Sequence, residues 1–241
     1  MSGILSYRKL EDLGRVRLST NFFVRDFLHS EIAAWNGMQN VPDNPDAMVE
    51  VGRKLSAELL EPLQACFGRI HIRSAYRSPT VNEFGNKNGL NCTANEANNA
   101  AHIWDYPDKD GKRGATACIV IPWLVDRIEQ GGRWTEMAWW IHDHLPYSSL
   151  YFFPTLFAFN ISWHEQPKRR IDSYAAPKGC LTRLGMPNHT GSHQQEYLGY
   201  PELPVALSSA LLPAVPSSQS PMNLRGRTSI QGRNASAATS D

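Results

Sequence analysis

The stretch Arg69–Asn82, RIHIRSAYRSPTVN, decides how the rest of the chain is read. Ile70 and Ile72 alternate with Arg69, His71 and Arg73, the period of two of a half-buried strand. The strand runs into Arg77-Ser78-Pro79. Proline disfavours helix at the residue before it, so the strand empties into a loop of fixed shape that carries Arg77. A planar guanidinium on such a loop suits a two-pronged grip on a carboxylate.

Upstream, Pro42-Asp43-Asn44-Pro45-Asp46 is a breaker cluster that opens a helix, with Asn44 as cap and Pro45 in the first turn. Val51, Leu55, Leu59, Leu63 and Phe67 then step by four along one buried face, and Gly68 stops the helix. Pro62 inside it predicts a kink. Earlier, Phe23, Phe27 and Leu28 recur at helical spacing after Thr20 or Asn21 as cap, and residues 1–17 read as a polar lead-in. Downstream, residues 83–101 read as a long irregular connection rich in Asn, Ala and Gly, and such loops are more often functional than accidental. His102 follows it. Asp108-x-Asp110-Gly111 lacks the twelve-residue ligand pattern of a calcium loop.

Gly114–Ile121 reads as a buried strand, Pro122 opens a helix that Gly131-Gly132 ends, and a second helix covers about 133–144. Its His142 and His144 lie two apart, on different helix faces, and make a poor metal pair. Tyr147–Phe153 and Leu156–His164 read as the next strands. In the latter, Phe157, Phe159, Ile161 and Trp163 share one face, and Ala158, Asn160, Ser162 and His164 the other. That polar face, ending in a histidine, is the second place where chemistry is expected. His189 and His193 lie in the turn-rich segment beyond.

The order of these parts (a helix ending in Leu-Glu-Pro-Leu, the Ile-x-Ile strand, Ser-x-Tyr-Arg-Ser-Pro with Asn82, then a later His) resembles the zinc D-alanyl-D-alanine carboxypeptidases, the M15 peptidases, which cut short cell-wall peptides. The resemblance is strongest over residues 18–82. It implies an α+β fold, a small, mostly antiparallel sheet flanked by helices in the M15 or hedgehog-like arrangement. It also implies a peptidase domain at 18–175. A turn-rich C-terminal extension follows at 176–200, and the Ser, Pro, Ala and Leu bias from Pro201, with few apolar groups at the end, reads as a disordered tail at 201–241.

The same resemblance implies one zinc ion and a peptidoglycan peptide, or another small peptide carboxylate, as ligand. The family holds zinc by His, Asp and a second His; the first two stand in a His-x-x-Gly-x-Ala-x-Asp phrase. Here His102 takes the first place and His164 the last, while Arg77 takes the place of the carboxylate-binding arginine. An insertion separates His102 from Gly114, and Cys118 stands where the family has Asp. Thiolate is a good zinc ligand, so Cys118 is one candidate for the third position, and Asp105, three after His102, is the other. The family's general base lies three before the second His; that position is Ile161, which cannot act as a base. Glu165 is the remaining acidic neighbour, although an extended strand turns it to the other face. Ser74, Tyr76, Arg77, Asn82, Asn160 and Ser162 are the expected substrate-binding residues. Two readings follow: a zinc hydrolase acting on cell-wall peptides, and an inactive M15-like binding or structural module.

Composition sets outer bounds. The 241 residues carry a net charge of +1, which points to neither a nucleic acid nor an anionic membrane. Seven tryptophans supply material for a core. No apolar run reaches the ~20 residues of a membrane helix, so no transmembrane segment is expected. The N-terminal stretch lacks the apolar centre of a signal peptide, which favours a cytoplasmic or phage-associated protein. Four dispersed cysteines predict free thiols and no disulfide framework.

Overall fold

The first helix, α1 (Tyr7–Gly14), lies within the segment read as a polar lead-in, capped by the Ser6 hydroxyl, with Leu13 packed against the core. The structure is a computed structural model that describes residues 6–207. The expected helix at Phe23–Leu28 is a single 3₁₀ turn, Val24–Phe27, followed by α2 (Glu31–Trp35).

The long helix is present with the predicted cap: Asn44 accepts the Ala47 amide at 3.2 Å and Pro45 opens α3 (Pro45–Leu55). Pro62 acts as its chemistry requires. It has no N–H, and its ring crowds the carbonyl four residues earlier. The backbone answers with a wide π turn over Ser56–Leu60 before α4 (Glu61–Phe67). Leu55, Leu59, Leu60 and Leu63 are all fully buried. Each such burial is worth roughly 1.5–3 kcal/mol. Gly68 ends the helix at φ 77°, where a side chain would be strained.

Then follow β1 (His71–Ser74), α5 (Pro79–Lys87), α6 (Asn95–Asn98), β2 (Gly114–Val120), α7 (Pro122–Glu129) and α8 (Trp134–His144). Helices α5 and α6 correct the reading of 83–101 as wholly irregular. Pro79 stands at the first position of α5 with Ser78 as its cap, so the proline starts a helix as well as fixing the loop. The chain continues with β3 (Ser149–Phe152), β4 (Phe159–His164), β5 (Arg170–Ser173) and β6 (Gly179–Thr182).

The fold is α+β. Six strands form one sheet in the order β1-β2-β4-β3-β5-β6, antiparallel except for the parallel pair β3–β5. One face looks into the core. Ala115, Ala117, Ile119, Leu150, Phe152, Phe159, Ile161 and Ile171 are at most 1% exposed and pack under the helices with Met48, Trp140 and Tyr147. The other, polar face carries Thr116, Cys118, Asn160, Ser162 and His164, the alternation expected from Asn160 onward; the strand expected from Leu156 starts only at Phe159, because 155–157 forms a 3₁₀ turn.

Segment 176–200 folds back on α8, where Tyr197 and Tyr200 are buried. Residues 201 and 202 of the expected tail also dock: the Pro201 carbonyl accepts from Trp140 Nε1 at 2.8 Å, and the Glu202 carbonyl from Cys66. Leu203 packs against the core as well, and residues 208–241 of that tail lie outside the described residues. No helix among the described residues is long and apolar enough to cross a membrane.

Candidate functional site

The loop Ser74–Ser78 is fastened through several of its backbone groups. The Tyr76 amide donates to Phe27 O at 3.1 Å, and the Arg77 amide to His102 O at 2.8 Å. Buried Asn40 donates to the carbonyls of Tyr76 and Leu28 and accepts the Ser78 amide. Arg77 is thereby presented on a rigid base beside His102.

The Arg77 guanidinium is half-buried and has no carboxylate partner within 4 Å among the described residues. Its Nη1 donates to Asn82 Oδ1 at 3.1 Å and to Cys92 Sγ at 3.0 Å. Fully buried Asn82 is the hub behind it. It also accepts from Asn98 at 2.6 Å and donates to Asn95 Oδ1 and the Thr93 carbonyl. A half-buried cation without a counter-charge is costly, and here only neutral partners, the Asn82 amide and the Cys92 thiol, offset it. Such a cation is poised for an incoming anion. Neither Asn95, Asn98 nor Cys92 was singled out from sequence; the Asn-rich composition of 83–101 was the only signal.

His102 Nδ1 donates to the Ala75 carbonyl at 2.8 Å, which fixes the tautomer and leaves Nε2 as a bare lone pair. Burial, then the neighbouring Arg77 charge, push its pKa down to about 4. His102 is therefore neutral near pH 7. Its unfolded pKa lies near 6.5, so its contribution to stability is present above that pH and is lost as pH falls from about 6.5 toward 4. His142, also held low by burial, adds to the same slope. NMR titration is expected to show the His102 ring unchanged until about pH 4, with the Nδ1–H tautomer throughout.

The other expected ligands do not gather around His102. Both oxygens of buried Asp105 are taken: Oδ2 accepts the Asp43 and Asn44 amides at 2.8 and 3.2 Å, and Oδ1 the Tyr76 hydroxyl at 3.2 Å. Asp105 and Tyr76 thus hold the chain together; Tyr76 is 1% exposed and offers no group to a cleft.

His164 ends β4 opposite Gly114. The Ala100 carbonyl and the His164 ring crowd the same point over Gly114, where a Cβ would come within 2.3 and 2.7 Å of them. The chain two residues before His102 and the His164 ring therefore meet over Gly114. Both His164 nitrogens are nevertheless spent: Nδ1 accepts the Gln166 amide at 3.0 Å and Nε2 meets Asp108 Oδ2 at 3.2 Å. Asp108 comes from the inserted loop, whose amides at 110 and 112 it also accepts.

Cys118 is displaced along the strand. It pairs with Asn160 and Ser74, four residues from the Gly114–His164 pair, roughly 13 Å away at the rise of a strand. Its thiol is buried and pushed up to about 11, so it is not a thiolate near neutrality. Alkylation is expected to reach exposed Cys180 first and Cys118 only on unfolding, with no change on adding a chelator; mass spectrometry reads this directly.

Ile161 faces the core, and Glu165 is exposed with its carboxylate accepting the Arg113 amide at 3.0 Å. Ser162 is tied to Thr116 at 2.8 Å and Ser149 at 3.0 Å. Asn160 and Ser74 lie half-buried in one cross-strand row with Cys118. Among the described residues no three His, Cys, Asp or Glu side chains are grouped to hold a metal ion. The donor set His102, His164, Asp105 and Cys118 does not fit a three-ligand zinc site.

A separate cleft of about 690 Å³ is lined by His142, Asp143, His144, Arg169, His189 and Tyr197, among others. The sequence reading set His142 and His144 on different helix faces and left His189 and His193 in the turn-rich segment beyond. Here His142 bonds the Tyr147 hydroxyl and the His189 carbonyl, and His193 bonds Asp143 at 2.7 Å and the Asn188 carbonyl at 3.0 Å. His193 also stacks on Trp139 at 4.0 Å. These bonds clamp segment 189–200 onto α8 and leave the cleft's histidines engaged in structure. The Arg77–His102 cluster, by contrast, keeps guanidinium N–H groups and a histidine Nε2 without a bonded partner among the described residues. Compared with known protein families, with curated proteins and with solved structures, the chain finds no match.

Proposed function

We propose that the protein is a binding module laid out like an M15 cell-wall peptidase that holds a small peptide by its carboxylate and does not hydrolyse it. One observation carries this reading: the half-buried guanidinium of Arg77 is anchored through Nη1 alone and has no acidic partner among the described residues. The remaining guanidinium N–H groups form the fork that a carboxylate accepts. His102 beside it, neutral and with Nε2 bare, accepts an amide N–H of the same ligand without adding charge. A peptidoglycan peptide ending in a free carboxylate has both groups.

Loss of hydrolysis is supported by the committed donors. Asp105 and His164 have no free ligand atom, Cys118 sits at the wrong register, and Ile161 stands where a base is needed. A missing base alone costs about 10²–10⁴-fold in rate. The hydrolase reading retains one observation in its favour: a histidine whose Nδ1 is held by a carbonyl and whose Nε2 is bare is the form that ligates metals. Metal content and muropeptide turnover separate the two. Dialysis against zinc is expected to leave far less than one ion per chain, and incubated muropeptides to be recovered intact. Stoichiometric zinc that is lost in both His102→Ala and His164→Ala, together with cleaved peptide, would overturn the proposal.

A further inference from the structure

The polar face of the sheet is closed at one end and bare at the other. At β2, Cys118 is 5% exposed, whereas beyond β5 Tyr174 is 58% exposed. Alternation places Ser149 and Tyr151 of β3 and Arg170 and Asp172 of β5 on this face, and Phe153 and Tyr174 continue the pattern by one step. The intervening Leu150, Phe152 and Ile171 are buried in the core.

Tyr151, Phe153 and Tyr174 form a contiguous shelf of rings. Their centroids lie 4.7 Å (Tyr151–Tyr174), 5.7 Å (Tyr151–Phe153) and 6.0 Å (Phe153–Tyr174) apart. The planes are tilted by 32–48°, so the rings lie side by side and do not interlock edge to face. Beside the shelf, Arg170 closes on Asp172 through two bonds, 2.6 and 2.8 Å, which cancel their charges.

We propose that this shelf binds a neutral saccharide, with pyranose rings lying on Tyr151, Phe153 and Tyr174 and hydroxyls bonded by the Arg170–Asp172 pair. A pyranose has an apolar C–H face and a rim of hydroxyls. The shelf offers the matching halves, ring surface that is exposed at Tyr174 and half-buried at Tyr151 and Phe153, and an ion pair able both to donate and to accept. Exposed apolar patches with a polar border mark binding surfaces. A phosphate-bearing ligand needs unpaired cations, and the Arg170 charge is spent on Asp172. A wholly apolar partner would strip water from that pair without replacing its hydrogen bonds, which is unfavourable.

The shelf is also continuous with the Arg77 loop. Tyr151 pairs with Asn160, Asn160 with Cys118, and Cys118 with Ser74. Three strand spacings, about 14–15 Å, separate Tyr151 from Ser74. One glycopeptide can thus reach both places, although the shelf stands without the peptide reading.

The test titrates the ¹⁵N-labelled full chain with chitotetraose and, in parallel, cellotetraose. The expected result is saturable shifts in β3 and β5 for at least one of them, weakened about tenfold in Tyr174→Ala, the energy of one aromatic contact. Asp172→Asn, read alongside, is expected to weaken binding without changing the melting transition, and Arg77→Gln to leave it intact. No saturable shift with either sugar, or wild-type binding by Tyr174→Ala, would overturn the proposal. So would a dimer that Tyr174→Ala converts to monomer, which would give the shelf to a second copy of the chain. Loss of peptide binding in Arg77→Gln with sugar binding retained shows that the two sites fail independently.

Discussion

Replacing Arg77 by lysine is expected to lower affinity for a peptide carboxylate by about 10–100-fold while leaving the fold nearly as stable. The planar fork gives two parallel charge-assisted bonds, and an ammonium supplies a point charge in their place. A loss of one such bond, about 1.4–2.8 kcal/mol, corresponds to that range. Stability changes little because the backbone of the loop is held by other bonds, from the Tyr76, Arg77 and Ser78 amides to Phe27, His102 and Asn40. Titration calorimetry for affinity and thermal melting for stability read the two effects apart. Equal damage to both would make Arg77 a structural residue.

Asp105→Ala is expected to produce the opposite pattern, a large loss of stability. It leaves the part-buried Asp43 and Asn44 amides and the buried Tyr76 hydroxyl without their acceptor. Orphaned buried donors of this kind cost about 2–4 kcal/mol together, or about 6–12 °C in melting temperature for a domain of this size. Asp105→Asn keeps one carbonyl oxygen for the amides and is expected to cost less than half as much. Burial raises the Asp105 pKa, only partly offset by the amides it accepts. The folded state therefore holds the proton to higher pH than the unfolded state. The linked stability is present at acid pH and falls as pH rises through the folded value, and Asp105→Asn removes that dependence. If Asp105 were a metal ligand, the Asn variant would instead lose zinc with little change in melting.

The capped helix at Pro45, the proline-induced distortion and the two faces of β4 were legible, because each rests on local chemistry: a cap, a missing N–H, a period of two; the α+β class came from the resemblance instead. Other parts were hidden for physical reasons. Pro79 was read as a loop-former, yet the same ring pre-sets the first turn of α5. Strands β5 and β6 were not read from the sequence: their alternation, Arg-Ile-Asp-Ser and Gly-Cys-Leu-Thr, sets one or two apolar residues against polar ones and gives no run to pick out.

The candidate site divides in the same way. Arg77 and His102 come from one loop and the segment it bonds to, and their juxtaposition followed from sequence order. The third ligand depended on register between β2 and β4, which no local pattern encodes. Pairing put Gly114 opposite His164 and carried Cys118 away to Asn160. The inserted loop then delivered Asp108 to His164 and set Asp105 on the Asp43–Asn44 turn. The Asn82–Asn95–Asn98 network behind Arg77 is long-range within an amide-rich loop, where many other pairings were equally consistent with the sequence.

The most direct test is an NMR titration with an N-acylated D-alanyl-D-alanine peptide in two forms, the free acid and the C-terminal amide, following the Arg77 side-chain Nε–H. The account predicts a saturable shift of that resonance with the free acid, little or none with the amide, and the peptide intact at the end. Equal response to both forms, or release of D-alanine during the titration, would contradict it.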